Sequence, residues 1–359
     1  MTALGHGGNP ALEFKRLGIS PRSVTDFSVN LSLLGIPESL RSAWPGMLET
    51  LDRYPTVFGD GVAACYRERF NLDSRCVLPT NGASQAIYLA LGDLGGESIA
   101  ILSPTFSEYE RAAAAAGKRV LHVPLSEADG FSNPDADALI DAMGDADGLV
   151  LCNPNNPTGT RWSAETLLLL SERKPNKLFV IDESFVQFSD NEDELSLLRM
   201  SLLRSNLVIV HSLTKLYAVP GLRIGAVVSH PRIIAKLKAS IPPWSVNALA
   251  EAAAPLLAES STYEEKLRQS VSEERGRMLE VLTSVKGIFL HDTGLNFLLA
   301  KWTKTPNLDD LLKVLLAQGI YVRDCRNFRG LEKNWFRFSV RMPQENDHLI
   351  GALKAAADG

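Results

Sequence analysis

The 359-residue sequence predicts an α/β protein: a large domain with a mostly parallel sheet flanked by helices, and a smaller α+β domain beside it. Three observations carry this. Short, almost wholly apolar runs alternate with amphipathic stretches through the middle of the chain. That rhythm changes after about residue 231, where strands become sparse and helices dominate. The length itself leaves room for about two domains at roughly 150 residues each.

In chain order, Ser98–Leu102, Arg119–Pro124, Gly148–Cys152, Leu178–Asp182, Leu207–His211 and Ile224–Ser229 read as buried strands. Strands this apolar are covered on both faces, which points to a parallel sheet between helical layers. Helical stretches lie between them near Ser84–Leu91, Ser107–Ala116, Pro134–Met143 and Ala164–Ser171. The alanines 112–116 read as a tightly packed helix face. Beyond residue 231 a broken helical region covers Leu256–Leu282. Strands near Asn296–Trp302, Ile320–Asp324 and Trp335–Arg341 follow, with helices at Leu308–Gln318 and Asn346–Ala357. The expected division is residues 1–45 as an N-terminal arm that joins the small domain, 46–235 as the large domain, and 236–359 as the small α+β domain.

Composition excludes several classes. Hydrophobic residues make up 45% and charged residues 22%, the balance of a globular protein. The net charge of −5 argues against nucleic acid or an anionic membrane as the main partner, though not against a local basic pocket. Cys65, Cys76, Cys152 and Cys325 show no CxxC spacing, so they read as reduced, mostly buried thiols, and no metal site is expected. The N-terminus lacks the apolar core of a signal peptide, and no run approaches membrane-spanning length. A cytoplasmic protein is expected.

Four stretches follow the ends of apolar runs: Asn153-Pro-Asn-Asn-Pro-Thr-Gly159, Asp182-Glu-Ser-Phe185, Ser212-Leu-Thr-Lys215 and Pro220-Gly-Leu-Arg-Ile-Gly225. Singly, each has an ordinary reading as a turn, a helix cap or a solvated charge. Ligands bind at the C-terminal ends of parallel strands, and four such stretches in this order are not explained as turns. No G-x-G-x-x-G follows a strand, which sets aside a nicotinamide-dependent enzyme.

Together these stretches resemble the fold-type I pyridoxal-phosphate enzymes of the aminotransferase superfamily (class I/II), over nearly the whole chain. The resemblance implies pyridoxal 5'-phosphate as cofactor and a role for each residue. Lys215 is implied as the Schiff-base lysine, its amine kept deprotonated in a desolvated, cationic site. Asp182 is implied to keep the pyridine nitrogen protonated, which makes the ring an electron sink. Asn156 is implied to donate to the ring oxygen, and Ser212 and Arg223 to hold the phosphate. Gly82, Ala83 and Ser84, at a strand-to-helix turn, are implied to add N–H groups and a hydroxyl to the same phosphate. Tyr109 matches an aromatic that stacks on the ring, with plain core as its alternative. Tyr54 matches a tyrosine that reaches the cofactor of the neighbouring subunit, which implies a homodimer with a shared active site.

Within the superfamily, the chain is most similar to the threonine-phosphate decarboxylase branch, which is related to the histidinol-phosphate aminotransferases. His6-Gly-Gly-Asn9, Asp26-Phe-Ser-Val-Asn30, Pro243-Trp-Ser-Val-Asn-Ala-Leu249 and Val322-Arg-Asp-Cys-Arg-Asn-Phe-Arg-Gly330 carry this similarity. Phe185 stands where the transaminases usually have tyrosine. One departure is Leu31-Ser-Leu-Leu-Gly35, where the family commonly continues Asn-Pro-Leu-Gly. The implied activity is decarboxylation of L-threonine O-3-phosphate to (R)-1-aminopropan-2-yl phosphate and CO2, a step of cobalamin biosynthesis. Decarboxylation of O-phosphoserine and transamination of the histidinol-phosphate type are the alternatives. A regulator that only senses the cofactor is disfavoured, because Lys215 and Asp182 are both present.

A phosphorylated amino acid needs cationic partners, and five arginines crowd residues 323–341. Arg337 matches the superfamily arginine for the substrate carboxylate. Arg323 and Arg341 are the candidates for the substrate phosphate, with His6 and Asn30 beside them.

Overall fold

A computed structural model describes residues 14–15, 20, 23–200, 204–331 and 333–359. His6 and the rest of the HGGN stretch lie outside the described residues. Strand β1 (Thr25–Asp26) opens the described sheets. Next come β2 (Val77–Asn81), β3 (Ser98–Ser103), β4 (Arg119–Pro124), β5 (Gly148–Cys152), β6 (Leu178–Asp182), β7 (Leu207–Ser212) and β8 (Ile224–Ser229). The last seven form one sheet in the order β2-β8-β7-β6-β5-β3-β4. Only β8 runs against the rest: it pairs antiparallel with both β2 and β7, while the other pairs are parallel.

This topology gathers the site. The C-terminal ends of the six co-directed strands share one edge of the sheet. The reversed strand β8 presents its start there, so Arg223, the residue before Ile224, reaches the same edge. Strands β3, β5, β6, β7 and β8 are buried along their whole length, as their composition predicts. Edge strand β4 is largely uncovered. Strand β2 escaped the apolar-run reading because Pro79 interrupts it. As the other edge strand, with β8 as its one partner, it tolerates a residue that cannot donate to the ladder.

Strands β9 (Ile288–Asp292), β10 (Phe297–Trp302), β11 (Ile320–Tyr321), β12 (Arg323–Asp324) and β13 (Trp335–Ser339) follow. Four of them make an antiparallel sheet in the order β12-β13-β10-β9. The continuous strand expected over 320–324 breaks at Val322: β11 turns aside to pair with β1, and β12 pairs with β13. Phe27 is held between the amide bonded to the Tyr321 carbonyl and a carbonyl bonded by Ser339 N–H. It is fully buried in a cluster with Leu298, Trp302, Phe336 and Phe338. A larger cluster surrounds the seven-stranded sheet and also takes in Ala250, Ala253, Ala254 and Leu257 of the helix Ala248–Ala258.

The alanine run differs from expectation. Ala112 and Ala113 are buried, but Ala114, Ala115 and Ala116 face outward, because five consecutive residues go more than once around a helix. All four cysteines are buried and free. Among the described residues no helix is long and apolar enough to cross a membrane, and no group of side chains has the makings of a metal site.

Candidate active site

A cleft of about 510 Å3 opens at the sheet edge, between the large sheet and the Arg323–Arg337 strands. Its floor continues into a narrower pocket of about 90 Å3. Lys215, Asn156, Phe185, Ser84, Thr214, Phe106 and Arg223 line both.

The Asn153–Gly159 loop shows how sequence assigns roles. Asn153 bonds both ways with the Trp162 backbone, at 2.9 and 2.8 Å. Asn155 accepts from Thr105 Oγ1 and donates to the Pro104 carbonyl, at 2.7 and 2.8 Å. Gly159 has φ +73°, and a Cβ there would lie 2.3 Å from the Thr293 carbonyl oxygen. These residues fold the loop and leave Asn156 facing the cavity. Arg337 Nη1 donates to Asn156 Oδ1. Since arginine offers only donors, the amide must turn its oxygen to Arg337 and its NH2 toward a ligand.

At the end of β6 the side chains alternate. Asp182 and Ser184 line the inner pocket, whereas Glu183 points away and accepts from Ser196 Oγ and Leu197 N–H at 2.7 and 2.6 Å. Tyr109 donates to Asp182 Oδ2 at 2.8 Å, and Ser184 N–H to Oδ1 at 2.9 Å. The carboxylate is thus fixed from two sides while it faces the pocket.

Burial raises the Glu183 carboxyl from the ordinary 4.5 to about 8, partly offset by its two hydrogen bonds. With the folded value above the unfolded one, its stabilising contribution is full at acid pH. It is lost as pH rises through about 8. Glu183→Gln keeps an acceptor and cannot ionise. The thermal midpoint of the wild type is therefore expected to fall relative to this variant between about pH 5 and 8, read by pH-dependent thermal denaturation.

Lys215 is buried, and burial lowers its ammonium pKa. Asp182 and Cys152 oppose that shift, while Arg223 and Arg337 add to it. Its Nζ lies 5.0 Å from the centre of the Phe185 ring. The Lys215 carbonyl accepts from Ser32 N–H at 2.9 Å, and Ser32 Oγ meets Tyr263 Oη at 2.5 Å. The Leu31–Gly35 stretch is thereby tied to the lysine loop without the proline common in its place.

The other end of the pocket suits an anion. The helix Gly82–Asp93 begins there, and its N-cap Asn81 makes no side-chain cap bond, so first-turn N–H groups are left for a ligand. Ser212 Oγ lies 2.8 Å from Thr214 Oγ1. Gly82 has φ +74°, and a Cβ on it would sit 2.5 Å from Arg223 Nη2. Arg223 itself is left-handed, at φ +57°, which turns its guanidinium to this spot. Gly82→Ala should strain the turn by about 1–2 kcal/mol and push the guanidinium aside. Its expected signature is weaker cofactor binding in a titration, together with a lower thermal midpoint.

A phosphorylated pyridine aldehyde fits these features: an anion seat at Gly82–Ser84, Ser212 and Arg223, a fixed carboxylate at Asp182, and a buried amine at Lys215. The Gly82 cradle is the direct test, since a side chain there would fill the space that the guanidinium and an anion need.

The family model for aminotransferases of class I and II matches residues 22–353. The chain belongs to that family. The threonine-phosphate decarboxylase of Salmonella typhimurium is 32% identical, over 99% of this chain and 97% of the relative. The structure of L-threonine-O-3-phosphate decarboxylase from Porphyromonas gingivalis superposes with a TM-score of 0.83 at 28% identity, covering 92% of this chain and 98% of that one. The histidinol-phosphate aminotransferase structure from Clostridium acetobutylicum gives 0.85 at 29% identity, covering 92% and 98%.

The family member's candidate substrate residues divide. Arg337 is buried in the cleft, where it also donates to the Ser28 carbonyl at 2.8 Å. Arg323 lines the cleft, pairs across the strands with Arg337, and donates to Asn327 Oδ1 at 2.9 Å. Asn30 is buried and lines it too, with Oδ1 unpaired. Arg341 does not reach the cleft, contrary to expectation. Strand β13 ends at Ser339, so the alternation that was to aim Arg341 inward stops. Its guanidinium instead donates to the Asp26 carbonyl at 3.1 Å and Glu345 Oε1 at 2.7 Å. Arg326 is likewise engaged by Asp324 and Asp309.

Tyr54 is 83% exposed, stacks against Trp244 with centroids 5.0 Å apart, and lies outside this chain's own cleft. Tyr109 is wholly buried and spends its hydroxyl on Asp182. Sequence reasoning missed Phe106, Arg111, Thr214 and Asn327 in the lining. Phe106 was within reach: it follows Pro104 and Thr105 just past the end of β3, a strand that ends at the site.

Proposed function

We propose that this enzyme binds pyridoxal 5'-phosphate and decarboxylates L-threonine O-3-phosphate, giving (R)-1-aminopropan-2-yl phosphate and CO2. The sequence resemblance ties that step to cobalamin biosynthesis. The observation that carries the reading is a cleft with two substrate-side arginines. Arg337 is buried beside Asn156, and Arg323 lies next to it across the strands. When bound, the cofactor supplies an electron sink for the pair left at the substrate Cα.

The chain's own residues do the rest. Lys215 would hold the cofactor and would hold or deliver a proton at Nζ. Asp182, fixed by Tyr109 and Ser184 N–H, keeps a proton on the pyridine nitrogen. Arg223, Ser212 and the amides of Gly82, Ala83 and Ser84 hold the phosphate. Tyr109, which lines the inner pocket and bonds Asp182 through its hydroxyl, is proposed for the stacking ring, with Phe106 beside it. Asn156 donates through Nδ2.

Reaction choice is a matter of orientation. A phosphate anchored at the far end of the substrate would set which bond at its Cα is presented to the cofactor. Arg323 and Asn30, with His6, are proposed for the phosphate and Arg337 for the carboxylate. Phe185 offers no hydroxyl, unlike the tyrosine usual in the transaminases.

We also propose a homodimer in the cytoplasm, with Tyr54 serving the partner's cofactor. Exposed Trp44, Leu48, Leu51, Tyr54, Val57 and Trp244 support this; the Tyr54 and Trp244 ring centroids lie 5.0 Å apart, and the Trp244 backbone N–H donates to the Val57 carbonyl.

The test is a substrate comparison. Phosphothreonine and histidinol phosphate are supplied separately, the second with 2-oxoglutarate as amino acceptor. Histidinol phosphate has no carboxylate to lose. CO2 from the first substrate and little glutamate from the second is the expected outcome. Rapid glutamate formation from histidinol phosphate without CO2 from phosphothreonine would overturn the assignment.

A further inference from the structure

We infer that the Ser184 hydroxyl is a cofactor-binding group of this site. The inference rests on pyridoxal phosphate being the cofactor. Ser184 is buried at 5% exposure and lines the inner pocket with Asp182, Asn156 and Ser212. Its Oγ has no hydrogen-bond partner among the described residues. Its N–H, by contrast, is committed to Asp182 Oδ1 at 2.9 Å, so the backbone at this position is fixed.

A hydroxyl sealed from solvent without a partner is unfavourable, and native structures seldom keep one without a reason. The alternation at the end of β6 supplies the reason. Asp182 and Ser184 face the pocket while Glu183 faces the Ser196–Leu197 backbone. Ser184 therefore faces the same pocket as Asp182, the group proposed to meet the cofactor nitrogen. The next residue, Phe185, contributes a ring and no donor. Ser184 thus supplies the hydroxyl nearest in sequence to the one that Phe185 lacks. Binding gives this hydroxyl an oxygen or nitrogen acceptor on the cofactor and removes the unpaired group.

The two states make opposite demands, which makes the inference testable without turnover. Wild type, Ser184→Ala and Ser184→Cys are prepared as full chains, stripped of cofactor and titrated with pyridoxal phosphate by absorbance. Thermal midpoints are recorded with and without it. Stripped Ser184→Ala should melt at or above the wild type, because it no longer buries an unpaired hydroxyl. Its dissociation constant for pyridoxal phosphate should rise about five- to tenfold, the range of one neutral hydrogen bond, and its midpoint shift on binding should shrink. Ser184→Cys, a weak donor, should fall between. Equal dissociation constants and equal midpoint shifts for wild type and Ser184→Ala would overturn the inference alone. So would a loss of stability in Ser184→Ala that is the same with and without cofactor. A wild type that takes up no pyridoxal phosphate would overturn the cofactor assignment and this inference together.

Discussion

Lys215→Ala is expected to lower turnover by about 10^4-fold or more, the upper end of what a positioned proton-transfer group contributes. The proposed function gives the one amine two tasks: covalent attachment of the cofactor and proton transfer at the substrate carbon. Its surroundings fit both. Burial is the main cause of its lowered pKa, with the Arg223 and Arg337 charges adding to it, so the neutral amine is favoured. Below that pKa the ammonium form prevails and cannot attack the aldehyde. The rate of cofactor attachment is therefore expected to fall as pH drops. The proposed phosphate seat at Gly82–Ser84, Ser212 and Arg223 does not involve Lys215. The variant should still bind pyridoxal phosphate, but without the visible absorbance of the lysine-bound form. Absorbance spectra and turnover on one preparation check both halves.

Arg337→Ala is expected to lower kcat/KM by about 10^2- to 10^3-fold, from the roughly 3–5 kcal/mol lost when one partner of a buried ionic contact is removed. Arg337 is fully enclosed, and burial draws its pKa down to about 10, still well above neutrality. It holds Asn156 Oδ1 and the Ser28 carbonyl at once, so its loss frees the Asn156 amide to turn as well as removing a cation. Arg337→Lys restores the charge but not the planar fork, so it should recover only part of the loss. Cofactor content, read by absorbance, separates the two effects: a variant that loads pyridoxal phosphate normally while KM rises has lost the substrate contact.

The meeting of Asn156, Asp182 and Lys215 at one pocket was legible in the sequence because each stands at or just past the end of an apolar run. Asp182 ends β6, Asn156 and Lys215 follow β5 and β7, and a parallel sheet brings such ends together whatever the loops do. Arg223 was legible through its motif, and the reversed β8 explains how it reaches the same edge. The substrate end was harder. Arg323, Arg337 and Arg341 look alike in an alternating stretch, and which one turns away depends on where β13 stops. Tyr109 and Phe106 are three residues apart, and only the packing of Tyr109 onto Asp182 tells the inner aromatic from the outer one. Strand β9 and the extent of β2 went unread for the same kind of reason: Pro79 breaks β2, and β9 exposes Phe289 and Asp292. An edge strand owes its place to a neighbour rather than to its own composition.

Whether the bond that breaks is Cα–carboxylate or Cα–H is tested most directly by carboxyl-13C phosphothreonine in D2O, with 2-oxoglutarate present as amino acceptor. A decarboxylase releases the label as 13CO2 and leaves one solvent deuteron on the former Cα of the aminopropyl phosphate. Label retained in a keto acid, with the Cα hydrogen lost to solvent, would show that this chain is a transaminase.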